Sequence, residues 1–113
     1  MRPGPNIFSR GDLVWLDFDP QAGREQAGRR PALIISPAAY NRKVGLALAC
    51  PITSQVKGYP FEVALPAGLP IAGVVLSDHV KSLDLAARRA TRAGAAPADV
   101  VAEVLAKLAP LVT

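Results

Sequence analysis

Glu25-Gln26-Ala27-Gly28-Arg29-Arg30-Pro31 joins two apolar runs, residues 13–18 and 32–35. Both runs read as strands, so the segment is the loop of a hairpin. A hairpin loop needs neither an acid nor three arginines, yet Arg24, Arg29 and Arg30 crowd around Glu25. Gly28 is free to take backbone conformations closed to other residues, and Pro31 fixes the chain as the second strand begins. The loop is therefore stiff at its exit, with Arg30 held at the root of a strand. That is a way to present a cation to a phosphate. The plainer reading is a polar loop that is merely solvated.

Charge along the chain favours the first reading. The 113 residues carry a formal charge of +4, and half of them are apolar, which fits one domain with one core. Residues 24–57 hold six basic residues (Arg24, Arg29, Arg30, Arg42, Lys43, Lys57) against Glu25 alone, a net +5; the remainder is net −1. Such clustering predicts a polyanionic partner: nucleic acid, an acidic protein segment or, least of all, a membrane surface. Cys50 and His79 are the only residues of their kinds, which leaves no disulfide framework and no usual zinc or transition-metal ligand set. Residues 1–5 lack the apolar core of a signal peptide. The longest charge-free run, residues 63–77, is too short for a bilayer and contains Pro66 and Pro70. These features predict a soluble cytoplasmic protein without a membrane association.

Outward from the hairpin, residues 12–19 are expected to form a strand buried on both faces at its centre, and residues 30–36 a second strand. Ser36-Pro37 predicts the start of a short helix, with serine as cap, running to about Arg42 and stopped by Gly45. A third strand spans residues 46–52, followed by a polar loop at 53–59. Phe61, Val63 and Leu65 alternate with Glu62 in a fourth strand; residues 66–72 turn, and residues 73–77 form another strand. Residues 85–90 favour helix by propensity. Val100, Val101, Val104, Leu105 and Leu108 form one apolar stripe opposite Asp99, Glu103 and Lys107, between Pro97, which opens the helix, and Pro110, which ends it. Short strands with one closing amphipathic helix predict a small, strongly bent β-sheet or barrel.

Little in this chain suits catalysis by side-chain nucleophiles. His79 sits beside Asp78, but no nucleophile elbow accompanies them. Cys50 lies in an apolar run and reads as a core residue. The glycines make no phosphate-binding motif. Arginine, hydroxyls and carboxylates remain. Thr53 and Ser54 stand at the exit of the third strand, so Arg30 and Thr53 are expected to converge at one end of the sheet. An arginine fork and a short neutral donor together suit a phosphodiester. Without a metal to make hydroxide, the accessible reaction is attack by the 2′-hydroxyl of RNA itself. Plain turn chemistry is the competing reading of Thr53-Ser54.

Gly11-Asp12-Leu13-Val14-Trp15-Leu16-Asp17-Phe18-Asp19-Pro20 and Glu25-Gln26-Ala27-Gly28-Arg29-Arg30-Pro31-Ala32 closely resemble the MazF/PemK-type toxins. So do Ser36-Pro37 with Tyr40-Asn41, Pro51-Ile52-Thr53-Ser54-Gln55, Lys57-Gly58-Tyr59-Pro60-Phe61-Glu62-Val63 and Asp78-His79-Val80-Lys81-Ser82. The blocks come in family order over nearly the whole chain. The resemblance implies a single toxin domain over residues 1–113, mainly β with helices, an SH3-like barrel that works as a homodimer. It implies a metal-independent, sequence-selective endoribonuclease acting on single-stranded RNA (an mRNA interferase), without cofactor, and inhibited by an acidic MazE-like antitoxin. Carried over by motif, the family's catalytic arginine falls on Arg30, its threonine on Thr53 and the acid of the same loop on Glu25. Arg24, Gln26, Arg29, Asn41, Ser54, Gln55, Lys57 and Lys81 are the expected RNA-binding residues. Family analogy also puts a strand near residues 81–89, and the strand is expected there in preference to the helix that propensity favours. The favoured assignment makes Arg30 an electrostatic clamp oriented by Glu25, with Glu25 a candidate acceptor of the 2′-hydroxyl proton; proton transfer by Arg30 stays open. Two other functions compete: a CcdB-type gyrase poison of the same barrel class, and a non-catalytic RNA-binding module.

Overall fold

The computed structural model describes residues 7–17 and 29–113. Among the described residues, seven strands and two helices follow in order: β1 (Asp12–Asp17), β2 (Arg29–Ile34), α1 (Ala38–Val44), β3 (Ala47–Thr53), β4 (Glu62–Ala64), β5 (Val74–Leu76), β6 (Lys81–Leu83), β7 (Thr91–Ala95) and α2 (Ala98–Val112). One 3-10 turn, Ser77–His79, links β5 to β6. The strands form one antiparallel sheet in the order β4-β5-β3-β2-β1-β7, with β6 also paired to β3. The sheet is bent like a barrel but is not closed.

β1 and β2 pair as the expected hairpin, Leu13 opposite Leu33 and Asp17 opposite Arg29. Alternation then sends side chains to two cores. Leu13, Leu33, Cys50, Ile52 and Val75 face α2, whose Val100 and Val104 complete that core. Val14, Leu16, Ala32, Ile34 and Ala49 face the other way, against Phe8, Leu83 and Leu85. The centre of β1 is thus buried on both sides, apart from Trp15, which stays 38% exposed.

β3 organises the rest. One edge pairs with β2; β6 takes the first half of the other edge (Ala47 to Ala49) and β5 the second half (Ile52, Thr53). Pro51, which has no N–H to donate, lies at the changeover. Because two short strands leave one edge at different points, the sheet must curl around β3.

Several expectations need correction. Ser36 does not cap α1: Pro37 occupies that position without a side-chain bond, and the Ser36 hydroxyl instead bonds Asn41 Oδ1 and accepts from Leu48 N. Gly45 does end the helix, in the left-handed region at φ +79°. The segment after β6 is neither strand nor regular helix. It is a turn in which Asp84 Oδ1 accepts Ala87 N, Arg88 N bonds Asp84 O and Ala90 N bonds Leu85 O. A strand not expected from the sequence, β7, follows it and pairs with β1 across a register shift at Leu13/Val14. Arg92 secures it, with two bonds to the Asp12 carboxylate at 2.9 and 3.1 Å and its guanidinium stacked on Phe8. Pro110 lies inside α2, not at its end. It falls in the last turn, where few backbone bonds remain to be lost.

Candidate active site

β2 starts where β3 ends. Ala32 sits opposite Pro51; two residues further, the same register brings Arg30 opposite Thr53. Both line a cleft of about 540 Å³, with Ser54 and Gln55 beside them. Trp15, Pro31 and Ile52 add apolar surface, and Pro70 to Ala72, from the turn between β4 and β5, close the far wall.

Neighbouring residues on a strand project to opposite faces, which separates the two arginines. Arg29 is committed to the protein. Its Nη1 donates to Arg89 O at 2.8 Å and to Asp17 Oδ1 at 3.3 Å, and its Nη2 to Thr91 Oγ1 at 3.1 Å. It therefore ties β2 across β1 to β7. Arg30 is exposed and, among the described residues, has no hydrogen-bond or ion-pair partner. Its five donors are not used by any described residue. Thr53 Oγ1 accepts the Gln55 N–H at 3.1 Å. That bond orients the hydroxyl and leaves its own proton to donate.

A second cleft of about 290 Å³ shares Thr53 and Gln55 with the first, then runs past Lys57 and Tyr59 to His79. The loop between β3 and β4 is fastened along it. Glu62 Oε2 and Oε1 accept the N–H groups of Lys57 and Gly58 at 3.0 and 3.1 Å. Tyr59 donates its hydroxyl to Asp78 Oδ2 at 2.9 Å and sets its ring edge-on to Phe61. The bond to Asp78, with the charge of that carboxylate, pushes the Tyr59 phenol up from its ordinary pKa, so it stays a donor. On the far side, Lys107 of α2 holds Pro60 O at 2.9 Å. Cys50 is buried behind this end of the sheet; burial first, then the nearby Asp78 charge, pushes its thiol up to about 12. It is a core thiol, not a nucleophile.

The expected site residues are thus divided. Arg30, Thr53, Ser54 and Gln55 share the first cleft, and Lys57 lines its extension. Glu25, Arg24 and Gln26 lie outside the described residues. Arg29 faces away from the cleft. Lys81 opens β6 opposite Ala49 and lines neither cleft. Asn41 is buried, its amide donating to Phe8 O at 2.7 Å and Ser36 O at 3.1 Å; it staples the N-terminal segment to α1. The basic run, continuous in sequence, is split in space. Arg42 and Lys43 end α1 at the opposite end of the β2–β3 pair, about 17 Å of strand from Arg30. The cleft walls that sequence reasoning missed, Trp15 and Pro70 to Ala72, bear no chemical signature of their own.

Removal of the Asn41 amide is a test of this division. Asn41→Ala leaves two buried carbonyls unsatisfied, a loss of about 1–3 kcal/mol. A lowered unfolding midpoint with unchanged RNA affinity is expected; a selective loss of RNA binding would return Asn41 to the ligand site.

A bent antiparallel sheet packed on a C-terminal helix, with an arginine unpaired among the described residues and an oriented hydroxyl in one cleft, defines a small β protein of the kind the resemblance implied. The family is shown by comparison. Residues 9–112 match the model of the PemK-like, MazF-like toxin of type II toxin–antitoxin systems, and the chain belongs to that family. It is 49% identical over 102 residues to the endoribonuclease toxin MazF of Escherichia coli K12, covering 90% of this chain and 91% of that one. It is 37% identical over 110 residues to the endoribonuclease PemK of Escherichia coli, covering 94% and 83%. The fold superposes on MazF in a MazE–MazF crystal structure from Deinococcus radiodurans with a TM-score of 0.86 and 62% identity, covering 93% of this chain and 95% of that one.

Proposed function

We propose that this protein is the endoribonuclease toxin of a toxin–antitoxin pair, cleaving single-stranded RNA selectively by sequence and without a metal. The observation that carries the reading is that Arg30, without a partner among the described residues, shares one cleft with the oriented Thr53 hydroxyl. In this mechanism the ribose 2′-oxygen attacks the adjacent phosphorus. The 2′-O–P bond forms, the P–O5′ bond breaks, and the products are a 2′,3′-cyclic phosphate and a 5′-hydroxyl end. Charge grows on the non-bridging oxygens, where the Arg30 fork and the Thr53 O–H stabilise it. Glu25 is assigned to orient Arg30 and to accept the 2′-hydroxyl proton. Among the described residues no three His, Cys, Asp or Glu side chains converge to hold an ion.

The second cleft extends the RNA path, with Ser54, Gln55 and Lys57 gripping the strand and loop residues selecting bases. Binding by an acidic antitoxin segment to the Arg30–Lys57 end would exclude RNA from the same surface; solved relatives include MazE–MazF complexes. The protein acts as a single toxin domain and as a homodimer in the cytoplasm, where its RNA substrate is found. No described helix is long and apolar enough to cross a membrane. A gyrase poison has no use for the Arg30–Thr53 pair, and none of its relatives named above is one.

The test is to incubate the purified protein with a long RNA in excess EDTA and map every new end. Cleavage at a recurring short sequence, leaving 5′-hydroxyl ends, is expected. Intact RNA under all conditions would leave only a binding module. Activity lost to chelation and restored by a divalent ion would refute the metal-free route.

A further inference from the structure

Gly73 stands against the backbone that carries the Thr53 hydroxyl. Its φ is +125°, and a Cβ placed on it would lie 2.2 Å from the Thr53 carbonyl oxygen, 2.9 Å from the carbonyl carbon and 3.3 Å from Ser54 Cα. All three are main-chain atoms, so no side-chain rotation relieves the overlap. Retreat is blocked as well. The Gly73 carbonyl accepts Leu65 N at 3.0 Å, and the next residue, Val74, is paired with Thr53 itself. The wall residues Pro70 to Ala72 lead directly into this contact. Their other end rests on a second glycine, where a Cβ on Gly94 would come within 2.8 Å of Pro70 Cγ.

We infer that Gly73 is a positioning residue for RNA cleavage. The missing side chain lets β5 close on the end of β3, and that contact fixes the Thr53 hydroxyl relative to Arg30. This rests on the reading of the cleft as the RNA-cleaving site. A methyl group at residue 73 displaces the Thr53–Ser54 peptide by about 1 Å, a shift large enough to spoil a catalytic alignment without emptying the cleft. Val74 and Val75 still pack into the core, so RNA contacts made by Lys57 and Gln55 remain.

A double-mutant cycle isolates the effect. Single-turnover cleavage and affinity for an uncleavable RNA, 2′-deoxy at the cleavage site, are measured for Gly73→Ala, Thr53→Ala and the pair. The loss of one neutral donor is worth about tenfold in rate. Gly73→Ala should cost about the same in the parent, less than about twofold in the Thr53→Ala background, and leave affinity within about threefold. Equal losses in both backgrounds, or an affinity loss as large as the rate loss, would show that the glycine serves only the fold. Gly45→Ala is the strain control: its φ is +79°, nothing lies within 4 Å, and it is remote from the cleft. It should leave the rate unchanged, and a matching loss there would overturn the proposal.

If Gly73→Ala does not fold, Gly73→D-Ala decides. That chain is made by joining residues 1–49 to synthetic residues 50–113 at Cys50. Its methyl replaces the other α-hydrogen and leaves empty the position that lies 2.2 Å from the Thr53 carbonyl oxygen. Retention of the parent rate supports the proposal, and a loss as large as that of Thr53→Ala overturns it. A parent protein that does not cleave RNA at all defeats the functional reading instead, before any glycine is tested.

Discussion

Arg30→Ala is expected to slow single-turnover RNA cleavage by roughly 100- to 1000-fold, about 3–4 kcal/mol of transition-state stabilisation. Affinity for a 2′-deoxy RNA should change far less. Arg30 has no protein partner among the described residues, so its removal breaks no contact with them and the loss falls mainly on the ligand. The charge it meets is largest in the transition state, so kcat suffers more than binding. Arg30→Lys should not restore the rate, because a point charge cannot reproduce a two-pronged contact. Arg29→Ala is the informative partner. Arg29 bonds Asp17, Arg89 and Thr91, so its loss should lower stability and leave the chemical step nearly intact. Turnover abolished by Arg29→Ala but not by Arg30→Ala would reverse the assignment. Equal falls in rate and affinity for both would mean that neither is the clamp.

Replacing the ribose at the cleavage site by 2′-deoxyribose should stop the reaction outright while the RNA still binds. The nucleophile in the proposed mechanism is the substrate's own 2′-oxygen, and the mechanism assigns no protein group to replace it. Cys50, the one thiol, is buried and stays protonated. A reaction that proceeds on the deoxy substrate would require an activated water or a covalent enzyme intermediate. The two experiments share one substrate, so each supplies the other's control.

The sequence carried most of the fold because most of it follows from alternation and end signals. β1, β2 and β3 are apolar runs bounded by glycine, proline or polar residues, and the α2 stripe repeats at helical spacing. β7 was not legible. Thr91-Arg92-Ala93-Gly94-Ala95 has no alternating apolar pattern, and it is a strand only because β1 and the Asp12–Arg92 pair hold it there. The expected strand over 81–89 holds only for Lys81–Leu83; beyond it, bonds within residues 84–90 and from Arg88 to Asp17 close a turn that is neither that strand nor the helix its alanines favour. In the site, Arg30 and Thr53 were expected from chemistry and chain position together with the family resemblance, and the structure brings them into one cleft. Which of two adjacent arginines faces the cleft depends on strand facing, which composition does not show. Asn41 sits in a motif block shared with the toxins, yet its amide is consumed by Phe8 and Ser36. A matching letter marks constraint and does not say whether fold or ligand imposes it. The wall at Pro70 to Ala72 comes from a turn brought in by β5 pairing, a contact between distant parts of the chain.

Thr53 ends the strand with the most neighbours, whereas residues 54–60 leave the sheet and are fastened mainly by side chains, among them Glu62, Asp78 and Lys107. The two therefore differ in how freely they can change over evolutionary time. Substitutions in the loop can reshape what the strand of RNA meets without reaching the backbone under the hydroxyl. A lineage of such toxins can drift from one target sequence to another while its cutting chemistry stays fixed.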